Sequence, residues 1–286
     1  MNQVCPTSSN LQHLNHCIDP TRTYIGIGKQ EIDGRKIGKK RSMDRAVVVV
    51  IIDLLIVCPI LLVYRKRDGQ NSTNVLIFCA FFLINHLLLR LPQYYNPLGS
   101  CGLHWNWSGK AYALTGSVVT YLLSRKILRY NDFFTWKQKT GSLRLVSLVA
   151  AVLLIPTITG AFLLPKKPFD AETLGFQLTM PGLDEETSYR GVMLGFLLTS
   201  LSGPIRVGKY SLNHPGVWVT AILFGLVHGF QLAPDWVFRM NWGYFSQTFL
   251  TGWLLAWVTV ESRSIVFPIV LHNLINFLAI LIRMIT

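Results

Sequence analysis

Asp184-Glu185-Glu186-Thr187-Ser188-Tyr189-Arg190-Gly191 stands at the mouth of an apolar run that continues to Ser200. Carrying such carboxylates and a guanidinium into hydrocarbon costs about 2.5 to 3.5 kcal/mol each on insertion scales, so these groups usually mark a pathway or a reaction site. On a helix, Glu186 and Arg190 stand four apart and share a face, whereas Glu185 is turned roughly 100° away and aligns with Ser188 and Tyr189. That spacing lets Arg190 neutralise Glu186 and leaves Glu185 unpaired. A poorly hydrated carboxylate is tuned toward the range of a general base, which makes Glu185 the candidate for activating water. The same residues also suit a plainer reading, in which the acids favour the positive end of a helix dipole and Arg190 snorkels to the interface.

The surroundings of this stretch are apolar. Of 286 residues, 51% are hydrophobic and 14% charged, and the mean hydropathy is +0.38. A soluble domain of this length does not carry that balance. The expected fold is all-α, a polytopic transmembrane helical bundle belonging to a multi-pass integral protein of the cell membrane. Apolar runs fall at 46–64, 75–91, 111–128, 143–164, 185–201, 216–232, 245–260 and 265–285, about eight spans for a hydrocarbon layer roughly 30 Å thick. The third is the weakest, interrupted by Ser124-Arg125-Lys126. Alternating strand patterns are missing, which disfavours a barrel, and no internal repeat is evident.

Residues 1–44 read as a polar tail, disordered or lying on a surface, that ends in Arg35-Lys36 and Lys39-Lys40-Arg41 and lacks the pattern of a cleavable signal peptide. The net charge of +13 sits in connectors between apolar runs, as suits anchoring beside anionic membrane lipid, and nucleic acid is not expected as a partner. Basic residues favour the odd connectors, while the basic tail argues the opposite, so orientation stays open. Cys5, Cys17, Cys58, Cys79 and Cys101 show no metal or redox spacing. The connectors 92–110 and 234–245 are rich in Trp and Tyr, as at headgroup depth. In 165–184, Pro181-Gly182 is expected to break the chain just before the acidic helix, with Asp184 as its N-cap.

Two later runs carry histidine. Phe224 and His228 share a helix face, and Gly225 and Gly229 admit a close neighbour; His272 and Asn276 share another face. Singly, each histidine is more often an interhelical hydrogen-bonding residue than a catalyst. In an up-and-down bundle, however, one pocket can hold Glu185, His228, His272 and Asn276, enough to activate water and stabilise an oxyanion. Asp53, Asn85, His86 and Arg90 are expected to form a structural, mutually satisfied polar contact. Trp105, Trp107 and Trp136 read as interface anchors, and Lys110 has no chemistry assigned.

Glu185-Glu186-x-x-x-Arg190, Phe224-x-x-x-His228 and His272-x-x-x-Asn276, in that order, resemble the CPBP family of intramembrane proteases, which includes the type II CAAX prenyl endopeptidases and the Abi proteins. The likeness is good over 181–285 and weak before Leu143. It implies N-terminal transmembrane helices at 45–142, a catalytic core at 143–286, and an endopeptidase acting on a membrane-associated or prenylated protein or peptide. Glu185 would then be the water-activating base assisted by His228, His272 and Asn276 would hold the oxyanion, and Glu186 and Arg190 would support them. The family is commonly called a metalloprotease, and Glu185, His228 and His272 could serve as zinc ligands. The soluble His-Glu-x-x-His signature is missing, and the metal-free reading, with no cofactor, gives Asn276 a task that a zinc site would not. A proton-coupled transporter or a non-proteolytic membrane scaffold is the alternative; inverted repeats and broken helices in matching halves, which would favour transport, are not found.

Overall fold

The protein, described by a computed structural model over residues 36–286, is an all-α helical bundle. Helix α1 spans Lys36–Tyr64, so the last residues of the expected tail are already helical; the rest of the tail lies outside the described residues. A tight turn capped by Asp68, which accepts the Asn71 N–H at 2.7 Å, returns the chain as α2, Gly69–Arg90. Helices α3, Trp107–Leu128, and α4, Leu143–Leu163, follow. Next come α5, Ala171–Pro181, a π-helical segment, Gly182–Met193, and α6, Leu194–Ser200. The chain closes with α7, Pro215–Gly229, α8, Trp242–Ser262, and α9, Val266–Ile285. Two antiparallel ribbons interrupt the helices: β1, Ile205–Val207, with β2, Tyr210–Leu212, and β3, Phe230–Leu232, with β4, Phe238–Met240.

Each expected apolar run coincides with helix, although 216–232 ends in β3. Met43–Tyr64, Gly69–Gln93, Leu143–Leu163 and Val266–Ile285 are long and apolar enough to cross a membrane, and Pro215–Gly229 is a shorter apolar helix. Their outer faces remain apolar: Val63 is 75% and Leu163 86% exposed, which suits lipid rather than water. Inside, Phe78, Phe82, Val192, Met193, Phe196, Leu197 and Leu223 join α2, the π segment, α6 and α7 into one core. Gly229 brings α7 against α8 as its spacing predicted, since a Cβ there would stand 2.9 Å from the Phe245 backbone nitrogen.

The acidic stretch does not begin a helix. Asp170, not Asp184, is the N-cap, accepting the N–H groups of Glu172 at 3.0 Å and Thr173 at 3.2 Å. From there the helix runs through Pro181 and Gly182 without stopping. Pro-Gly is ordinarily a terminating signal, but a tertiary contact overrides it here. The Gly182 N–H donates to Asn273 Oδ1 of α9 at 2.7 Å. Only glycine fits, because a Cβ would lie 2.6 Å from both Asn273 Oδ1 and the Ile269 carbonyl oxygen. Proline cannot donate to the helical ladder, and the chain passes from it into wider π turns, a rare geometry that recurs at functional sites.

Candidate active site

The π segment carries three consecutive carboxylates, of which two share one cation and the third has its own. Glu186, fully buried, pairs through Oε2 with Arg190 Nε at 3.1 Å, as the four-residue spacing predicted. Its Oε1 accepts the Nδ1–H of His272 at 2.7 Å. Arg190 is fully buried too; it donates from Nη2 to the Gly252 carbonyl at 3.1 Å and lies over the Phe224 ring at 4.5 Å. Glu185 is not the unpaired carboxylate that the spacing suggested. Its Oε1 accepts from Lys110 Nζ at 2.6 Å, and the same ammonium reaches Asp184 Oδ2 at 3.0 Å. The other oxygen, Oε2, is buried, makes no hydrogen bond, and stands 3.9 Å from both His228 Nε2 and His272 Nε2.

The two rings are not equivalent. A carbonyl oxygen only accepts, so His228 Nδ1 carries the hydrogen in its 2.7 Å contact with the Phe224 carbonyl, and the neutral ring turns a lone pair on Nε2 toward Glu185. His272 gives its Nδ1–H to Glu186, so its Nε2 carries a hydrogen only when the ring is an imidazolium. One histidine therefore offers an acceptor to the space beside Glu185, and the other, once charged, a donor. Asn276 lies one turn beyond His272 on α9. It stands apart from the bonded cluster, with Nδ2 buried and donating no hydrogen bond.

Beside the cluster opens a cavity of about 310 Å³, walled by Lys110 of α3, Asp184, Glu185, Ser188 and Tyr189 of the π segment, and His228 and Tyr244. His272 and Asn276 do not line it. One expectation is corrected at the cavity wall. Asp53, Asn85, His86 and Arg90 all border the cavity but do not satisfy one another. Asn85 turns to Ser117 Oγ at 3.3 Å, His86 Nδ1 meets the Phe82 carbonyl at 2.8 Å, and neither oxygen of the buried Asp53 is hydrogen-bonded. Trp105 and Trp107 are fastened to α5. Trp105 stacks on Phe176 at 4.8 Å and donates to Thr173 Oγ1 at 2.8 Å, and Trp107 Nε1 donates to Glu172 at 3.2 Å. Trp136 is 86% exposed.

Sequence reasoning missed Lys110, Asp184 as its second partner, and Asn273. A charge count held the signal for the first two. Once Arg190 is given to Glu186, the adjacent Asp184 and Glu185 need a cation, and Lys110 sits one turn after Asn106, the residue that caps α3.

Residues 145–278 match the family model described as Type II CAAX prenyl endopeptidase Rce1-like. This core is similar to a type II CAAX prenyl endopeptidase domain, which supports the CAAX protease family. No curated protein and no solved structure matches it. The matched segment contains Glu185, Glu186, Arg190, His228, His272 and Asn276, whereas Lys110 enters the site from outside it.

Zinc is the ion the family would imply, and Glu185, His228 and His272 would be its ligands. Their arrangement does not fit it. Donors of a tetrahedral zinc with bonds near 2.0 to 2.1 Å lie about 3.3 to 3.4 Å apart, whereas both Nε2 atoms stand 3.9 Å from Glu185 Oε2. The Lys110 ammonium already occupies the same carboxylate, and a dication there would meet like charge. Among the described residues, no three His, Cys, Asp or Glu side chains are grouped to hold a metal ion.

Proposed function

We propose that this membrane protein is an intramembrane endopeptidase that hydrolyses a peptide bond of a membrane-associated, prenylated protein, at the modified cysteine of a C-terminal C-a-a-X sequence. The observation that carries the reading is Glu185 Oε2, an unbonded buried acceptor facing two imidazole Nε2 atoms at 3.9 Å each. A water in that space would donate one hydrogen to Glu185 and the other to the His228 lone pair. As its oxygen attacks the scissile carbonyl carbon, Glu185 takes the proton, and the carbonyl π electrons move to the oxygen as an oxyanion. The imidazolium Nε2–H of His272 and the Nδ2–H of Asn276 would receive that oxyanion. Its collapse expels the amine, which takes the proton back from Glu185. Lys110 holds the Glu185 carboxylate in place, and Glu186, itself held by Arg190, orients His272. No step needs a metal, and we assign none.

Purified protein in lipid discs, given a farnesylated peptide and read by mass, tests this. Glu185→Gln keeps the shape but cannot take the proton, and should lose on the order of 10² to 10⁴ in rate. Full activity in that variant would remove Glu185 from the mechanism.

A further inference from the structure

Two guanidinium groups in the cavity wall have no part in the hydrolytic cluster. Arg45 of α1 and Arg90, in the last turn of α2, both border the cavity, and the charge of Arg45 bears on Arg90. Among the described residues, neither forms an ion pair. Asp53, the cavity acid on α1, lies eight residues beyond Arg45, roughly 12 Å along the helix, and its oxygens accept no hydrogen bond. Two like charges held together in a largely apolar wall are costly unless an anion joins them. Among the described residues none supplies such an anion, which leaves the pair open to an anionic ligand.

The position of the pair says what that ligand is. Arg90 lies one turn, roughly 6 Å, beyond His86. His86 feels the charges of Lys110 and His228, the residues on either side of Glu185. The arginines therefore border the same cavity as the reacting carboxylate. A C-a-a-X substrate ends in a free carboxylate three residues past its modified cysteine, an extended reach of at most about 11 Å. We propose that Arg45 and Arg90 bind the terminal α-carboxylate of the substrate and so set the register that lays the bond after the cysteine against Glu185. The forked guanidinium suits a carboxylate better than an ammonium would. This inference rests on the endopeptidase reading.

The test compares two farnesylated peptides of one sequence, one ending in the free acid and one in the amide, on the full chain in phosphatidylcholine discs. The wild type should favour the acid by roughly 10- to 100-fold in kcat/KM, the worth of a hydrogen bond to a charged group. Arg45→Gln and Arg90→Gln should each bring the ratio toward one, with Arg90→Lys in between. Binding of the same two peptides to Glu185→Gln protein, read by fluorescence anisotropy, should show the same preference without turnover. An acid preference in binding with no cleavage by the wild type would refute the endopeptidase reading alone. Equal handling of acid and amide, or variants that keep the full ratio, would overturn the carboxylate subsite. Equal handling together with Arg90-dependent binding of phosphatidylglycerol would assign the pair to a lipid headgroup phosphate and overturn it as well.

Discussion

Lys110→Met offers the sharpest test of how the site is assembled. The substitution keeps an unbranched chain of similar length and removes the ammonium from contacts of 2.6 Å with Glu185 and 3.0 Å with Asp184. Their side chains are 8%, 17% and 1% exposed for Lys110, Glu185 and Asp184, so water cannot replace the lost cation. Removing one partner of such a buried pair costs about 3 to 5 kcal/mol. Glu185 faces the cavity and can regain some hydration, which puts the expected loss near the lower end, about 3 kcal/mol. The variant should melt at a lower temperature and lose most of its kcat/KM, because two neighbouring carboxylates repel and Glu185 turns away from the histidines. Adding Asp184→Asn removes one of the stranded charges and should recover part of both losses. The assay is a double-mutant cycle on thermal unfolding and peptide cleavage, in detergent or discs. Costs that add within about 0.5 kcal/mol, or a Lys110→Met protein as stable and active as the wild type, would refute the pairing.

The Glu186–Arg190 pair should behave in the same way: Arg190→Met should harm stability more in the wild type than beside Glu186→Gln, and a cycle without coupling would contradict the contact at 3.1 Å. Asn276→Ala should cost roughly 10² to 10³ in kcat with less change in KM, as for an oxyanion donor; a drop in KM affinity alone would move Asn276 out of that role. If zinc were required instead, chelation would abolish activity, metal alone would restore it, and elemental analysis would find about one zinc per chain. At the α7 N-terminus, burial lowers the His214 pKa from its ordinary value, and its Nδ1 accepts the Gly216 N–H at 3.1 Å. The contribution of the neutral ring should be present in full above the ordinary histidine range and be lost as pH falls from there through the lowered folded value. His214→Asn should flatten that part of a stability-versus-pH curve, and an unchanged curve would count against the cap.

The helices were legible because their signal is local. Long apolar runs have few alternatives in lipid, and the positions of Glu186 and Arg190, or of Gly225 and Gly229, follow from helical periodicity alone. The site was legible where ordered motifs carried it, since Glu185, His228 and His272 do converge. What remained hidden depends on contacts between distant segments. Lys110 and Glu185 are 75 residues apart, and no periodic rule links α3 to the π segment. Pro181-Gly182 misled for a related reason: the contact that carries the helix through it comes from Asn273, 91 residues away. The tryptophans of 92–110 have the composition of an interface belt, and their hydrogen bonds to Thr173 and Glu172 of α5 could not be read from that composition.

The charges of the cluster bear on why Glu185 suits the work of a base. By formal charge, the carboxylates of Asp184, Glu185 and Glu186 outnumber by one the two cations they face, Lys110 and Arg190, in a place with little water. A proton on His272, shared with Glu186 at 2.7 Å, brings the sum to zero and supplies the donor that an oxyanion needs. In the proposed mechanism, transfer of the water proton to Glu185 would create the oxyanion beside that imidazolium, and the sum would stay at zero through the step. A barrier that would come from building net charge in a poorly hydrated site is thereby avoided. The same balance explains why the two acids should fail differently. Glu186→Gln removes the carboxylate that orients His272 and should depress kcat partially, whereas Glu185→Gln removes the proton acceptor itself and should cost far more.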